Sequence, residues 1–128
     1  MAFWNAPLIT VDHQAKAVAT AKQMQLSLIK LNNKFKAEGL PSINIGIGIN
    51  TGEVLVGNMG SEQRFDYSIL GDAVNLASRL ESSSKEVGET VIISENTVRG
   101  LDKTKFKRLQ KIYVKGKSKS IGIYTLRK

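Results

Sequence analysis

The sequence contains no cysteine, one histidine (His13) and only two prolines, Pro7 and Pro41. Without cysteine, neither a disulfide framework nor a thiolate metal centre can form. A single histidine leaves an imidazole metal site or a Ser–His–Asp arrangement short of parts. No apolar run reaches the roughly 18 residues that cross a bilayer, and no signal-peptide pattern opens the chain. These absences lead us to expect a soluble protein of a reducing, cytoplasmic compartment. Acidic charge is missing from one end. Residues 1–102 carry nine basic and eleven acidic side chains, whereas Lys103 to Lys128 carry ten basic and none acidic. A basic tail of this kind suits a nucleic acid, a membrane surface or a polyphosphate, and equally a solvated hairpin face. It lacks the aromatic interleaving of a single-strand-binding platform.

What is present is enough for one domain or part of one: 128 residues, 41% of them hydrophobic. Met1 to Trp4 is apolar from the first residue and reads as the second half of a buried strand, ended by Pro7. Asp12 is placed to cap a helix whose apolar positions Ala17, Ala21, Met24, Leu28, Leu31 and Phe35 recur at alternating steps of four and three. That stripe predicts packing on a sheet or a second subunit. Gly39 and Pro41 stop the helix. Ile43, Ile45, Ile47 and Ile49 alternate with Asn44, Gly46, Gly48 and Asn50, a half-buried strand pattern. Asn50 to Glu53 predicts a tight turn into Val54 to Val56, hence a hairpin. Glycine in GIGINTG is explained by turn geometry, since no helix follows it.

The stretch Arg64 to Glu81, RFDYSILGDAVNLASRLE, predicts a strand (Tyr67 to Leu70), a Gly71-Asp72 turn and an amphipathic helix from Ala73. Asn75 and Arg79 stand four residues apart and share a helix face. Leu76, Ala77 and Leu80 cover the neighbouring face. A glycine turn, a helix start and a guanidinium suit a polyphosphate; a plain surface helix accounts for the same pattern. Asp72 is expected to cap this helix. Farther on, Ser82 to Gly88 is read as leaving the helix and Thr90 to Ile93 as a buried strand. Ser94 caps a short helix through Val98, ended by Gly100. Phe106 to Val114 and Ser120 to Leu126 are strands joined by a Lys115-Gly116-Lys117-Ser118-Lys119 turn. The expected class is mixed α/β (α+β) with a largely antiparallel sheet and helices packed on it.

RFDYSILGDAVNLASRLE, INIGIGINTGEVLVGNMGS before it, MAFWNAP at the start and IYVKGKSKSIGIYTL at the end resemble the catalytic domain of class III adenylate/guanylate cyclases, bacterial homodimeric type. The resemblance covers essentially the whole chain, and the N-x-x-x-R helix after DYS-x-x-GD is its most specific part. It implies a ferredoxin-like nucleotide cyclase fold. It also implies conversion of a nucleoside triphosphate to a 3′,5′-cyclic nucleotide and pyrophosphate, with Mg2+ or Mn2+ in the complete domain. By this resemblance Asn75 orients the ribose and Arg79 stabilises the α-phosphate. Lys117, or Lys115 one step earlier, takes the terminal phosphates. Ser68 meets the base and favours ATP over GTP. Arg64 is a further candidate for the triphosphate, against a salt bridge with Asp66 or Glu62. Asp66 and Asp72 do not match the family's metal ligands.

The family's two metal-binding aspartates and a purine-selecting lysine precede the strand in which this chain begins. We therefore expect residues 1–128 to be the C-terminal two-thirds of the domain, lacking its first strand, first helix and metal-binding turn. The expectation is that this fragment binds no metal and is inactive alone, and that its parent is a head-to-tail homodimer, anchored to a membrane through an absent sensor region. Neither nucleic acid nor direct membrane contact is expected of this chain. A non-catalytic dimerisation or regulatory module, or a basic nucleic-acid-binding domain, is the alternative.

Overall fold

A computed structural model describes residues 1–61, 64–113 and 120–127. The elements run α1 (His13–Ala37), β1 (Ile47–Ile49), β2 (Leu55–Ser61), β3 (Arg64–Leu70), α2 (Asp72–Val87), β4 (Val91–Ser94), α3 (Glu95–Val98), β5 (Phe106–Tyr113) and β6 (Ser120–Leu126). Four strands form one sheet in the order β1-β4-β6-β5, and β2 pairs with β3 as a separate antiparallel hairpin. Among the described residues β1 and β4 run parallel, whereas β4–β6 and β5–β6 are antiparallel. The α+β class with a mostly antiparallel sheet is therefore as expected.

The centre of the molecule is β4, because its four residues VIIS are all buried. A strand buried on both faces reads as a continuous apolar run rather than an alternation. Val91 and Ile93 face one way and join Ala17 and Ala21 of α1, Ile49, Val98 and Phe106. Ile92 faces the other way, with Leu76 and Leu80 of α2 and Ile123 of β6. Burying each of these aliphatic side chains stabilises the fold by roughly 1.5–3 kcal/mol.

The α2 helix lies almost in contact with the β1 backbone. A Cβ on Gly48 would overlap the Ala77 carbonyl and the Glu81 amide, and one on Gly46 would overlap the Ser84 hydroxyl. The glycines that alternate with isoleucine in β1 are thus the floor on which α2 rests. Both long helices end in the same way. Gly39 (φ +73°) and Gly88 (φ +79°) take the left-handed conformation, and the amides of Leu40 and Glu89 return to the carbonyls of Phe35 and Ser84.

Six local expectations need correction. Met1 to Trp4 is not a strand: Phe3 lies against Tyr67 with ring centroids 5.9 Å apart, and Trp4 packs on the core. Side-chain contact, not a ladder, holds this segment. Asp12 makes no side-chain cap bond and instead faces Lys16 at 3.6 Å, one turn on. The predicted strand from Ile43 is only Ile47–Ile49, because both backbone groups of Ile43 are taken by the Asn32 side chain of α1, at 2.8 and 2.9 Å. The Asn50–Glu53 turn joins no hairpin, since β1 pairs with β4 and β2 with β3. Ser82 to Val87 continues α2, with Ser83 and Ser84 buried: small side chains there let the helix approach the sheet. The α1 stripe is fully buried at Ala17 and Ala21 and half-buried at Leu28 and Phe35, while Met24 and Leu31 are exposed.

Candidate functional site

The site begins where β3 turns into α2. Gly71 has φ +145°, a conformation that side chains resist, and it precedes the helix as its N-cap. Its carbonyl accepts from the amides of Val74 and Asn75, at 3.1 and 3.2 Å. Asp72 is the first helical residue, exposed, and makes no cap bond. The expected cap is corrected to a negative charge in the first turn, where it still complements the helix dipole.

Leu76, Leu80, Ser83 and Ser84 hold one side of α2 against the sheet. Asn75 and Arg79 are both exposed on the flank beside that buried stripe, roughly 6 Å apart along the axis. No ion pair among the described residues engages Arg79. An amide and a guanidinium one turn apart, with no side-chain partner among the described residues, can address two adjoining polar groups of one ligand.

Ser68 lies in β3, half-buried, opposite Gly57 of β2. The bare Gly57 leaves open space on its side of the ladder, because a Cβ there would meet nothing within 4 Å. Arg64 is placed at the far end of β3, opposite Ser61. Six residues of extended chain separate it from Leu70, roughly 20 Å. Lys115 and Lys117 lie outside the described residues. Asp66 is exposed opposite Met59. Among the described residues no three His, Cys, Asp or Glu side chains converge. No helix among them is long and apolar enough to cross a membrane.

One cluster was not anticipated from the sequence. Asn50, just after β1, donates from Nδ2 to the Ala73 carbonyl at 2.9 Å and accepts from the Ser94 hydroxyl at 2.7 Å. Ser94 also caps α3 by accepting from the Thr97 amide. Thr51 and Thr97 share a hydroxyl hydrogen bond of 2.8 Å. Two polar residues directly after an alternating strand were the available signal; they read as a turn because turns favour the same residue types.

Comparison with known proteins gives this geometry a context. Residues 2–128 match the adenylate and guanylate cyclase catalytic domain family. The chain is 37% identical over 124 residues to adenylate cyclase 1 of Rhizobium meliloti (strain 1021), covering 96% of this chain and 19% of that protein. It is 38% identical over 119 residues to an adenylate cyclase of Anabaena cylindrica, covering 87% of this chain and 24% of that one. The chain thus spans about a fifth to a quarter of those relatives. The crystal structure of the guanylyl cyclase Cya2 superposes with a TM-score of 0.82 at 35% identity, over 97% of this chain and 62% of that one. The chain belongs to the adenylate and guanylate cyclase catalytic domain family.

Proposed function

We propose that this chain is part of an adenylate cyclase, which converts ATP to 3′,5′-cyclic AMP and pyrophosphate in intracellular signalling, and that it supplies the ribose and phosphate side of the site. The observation that carries the reading is the exposed pair Asn75 and Arg79, on a helix fixed to the sheet from behind. In the reaction the ribose 3′-oxygen bonds to the α-phosphorus, the bond from that phosphorus to the pyrophosphate oxygen breaks, and the hydroxyl proton is released. Asn75 orients the ribose. Arg79 stands against the charge that grows on the α-phosphoryl oxygens, a task for a group that stays protonated and presents a planar fork. Ser68 meets the base, with a preference for ATP over GTP. Lys117, or Lys115, takes the terminal phosphates, and Arg64 is a subsidiary candidate.

The Mg2+ or Mn2+ pair belongs, on this reading, to carboxylates of the complete domain that precede this chain's first strand, and no step is drawn through it. On this reading residues 1–128 form a partial catalytic domain, silent alone, which pairs head to tail with a chain carrying the metal carboxylates. The setting is cytoplasmic. The test is complementation. A complete cyclase domain whose own Asn and Arg are both replaced by Ala is mixed with this chain, and cyclic AMP is measured. Recovered activity that disappears with Arg79→Ala supports the reading; no recovery at saturating chain sinks it.

A second reading, a non-catalytic dimerisation or regulatory module, draws on the exposed Met24, Leu26, Ile29 and Leu31 of α1. It predicts a stable dimer without nucleotide affinity. The basic C-terminal region leaves a nucleic-acid-binding domain as the remaining alternative, marked by steeply salt-dependent binding.

A further inference from the structure

From the cluster around Asn50 we infer that this residue is the positioning residue for the nucleotide-facing helix: it fixes the first turn of α2, and through it Asn75 and Arg79. The inference rests on the function proposed above for those two residues. Its basis is the direction of the hydrogen bonds. The Ala73 carbonyl can only accept, so the Asn50 nitrogen must face it, at 2.9 Å. The Asn50 oxygen therefore faces Ser94, whose single hydroxyl proton is given to it at 2.7 Å. With that proton used, Ser94 can only accept from Thr97, whose hydroxyl lies 3.3 Å away and whose amide also donates at 3.3 Å. Where the Thr97 hydroxyl gives its proton to Ser94, Thr51 is the donor in their 2.8 Å contact.

The order Thr51 to Thr97 to Ser94 to Asn50 to Ala73 satisfies every member. Among the described residues no buried side-chain nitrogen or oxygen lacks a partner. Ser94 and Thr97 are fully buried, where such chains polarise cooperatively and an unpaired member is costly. The receiving carbonyl is two residues before Asn75 and six before Arg79. Packing acts at the same place, since a Cβ on Gly52 would come within 2.8 Å of the Ala73 Cβ. The turn after β1 thus presses on α2 and ties it, while β4 and α3 supply the donors. Asn50, which would hold nothing in a hairpin, here sets the angle of a helix.

Asn50→Asp tests this, because the variant keeps the shape and the acceptor for Ser94 but loses the donor to Ala73. Two readouts are taken: amide hydrogen exchange along α2, and affinity for a non-hydrolysable ATP analogue. Thr51→Val is the control, since it breaks the far end of the chain and leaves the Ala73 bond intact. Asn50→Asp is expected to speed exchange at the Val74 and Asn75 amides by about tenfold, leaving Gly88 at the other end of α2 unchanged, and to weaken the analogue by about tenfold. Thr51→Val is expected to change affinity by less than about twofold. Exchange that is unaltered, or raised equally at both ends of α2, overturns the inference, as does an equal loss of affinity in Thr51→Val. If the unmodified chain binds no analogue, or Arg79→Ala leaves its affinity intact, the proposed function has failed, and the exchange data alone then decide whether Asn50 holds α2.

Discussion

Gly48 and Ala77 are so closely opposed that the helix backbone occupies the place where a side chain on Gly48 would stand. The absence of a Cβ in β1 is therefore what lets α2 lie on the sheet, and α2 carries the candidate site. Gly48→Ala is expected to destabilise the fold by at least about 2 kcal/mol, because backbone atoms of a packed helix cannot yield as a flexible side chain does. Gly57→Ala, where a Cβ meets nothing within 4 Å, is expected to be neutral or slightly stabilising. Urea melts of the two variants, compared with the unmodified chain, check the contrast.

Ser94 has two duties, capping α3 through the Thr97 amide and donating to Asn50. Loss of a helix cap alone costs about 1 kcal/mol. Ser94→Ala also strips a half-buried amide oxygen of its donor, so a loss of about 2–3 kcal/mol is expected. Ser82→Ala serves as comparison: its hydroxyl only back-bonds to the Ser78 carbonyl on an exposed face, and a change within about 0.5 kcal/mol is expected. Equal effects of the two would contradict the role given to Ser94.

Asp102 accepts hydrogen bonds from the Thr104 hydroxyl at 2.7 Å and the Thr104 amide at 3.0 Å. These bonds, the hydroxyl's foremost, hold its carboxyl below the ordinary aspartate range. A carboxyl lowered in the folded state contributes stability that is present above its unfolded pKa and is lost as pH falls through the folded pKa. The carboxyl resonance of Asp102 is expected to titrate below the ordinary aspartate range. In Thr104→Val, which removes the hydroxyl donor, its midpoint is expected to move upward. No movement in that variant would show that the threonine is not the cause.

Much of this architecture could be read from the chain, and what could not has a common physical cause. The helix His13–Ala37, the helix from Asp72 as far as Glu81, the buried strand within one residue of its bounds at Val91–Ser94, and the Ser94 cap follow from periodicity and local hydrogen bonding, which are properties of neighbouring residues. The errors arose where a distant partner decides. Ile43 looks like a strand residue, yet Asn32 takes its backbone groups. Asn50 and Thr51 look like a turn, yet their partners lie at Ala73 and Thr97. Ser83 and Ser84 look like a loop after the helix, yet both are buried in it, and Ser84 lies against Gly46. The pair Asn75 and Arg79 was legible because four-residue spacing on a helix is local. Its orientation was not, because the sheet and the Asn50 cluster set it.

The central claim is that the Asn75 and Arg79 flank of α2 grips a nucleoside triphosphate. Titrating a non-hydrolysable ATP analogue into the unmodified chain and into Arg79→Ala tests it most directly. Arg79 is exposed, so both proteins should melt alike and any difference belongs to binding. The account predicts affinity at least about tenfold weaker in Arg79→Ala. Equal affinities in two equally stable proteins would contradict it.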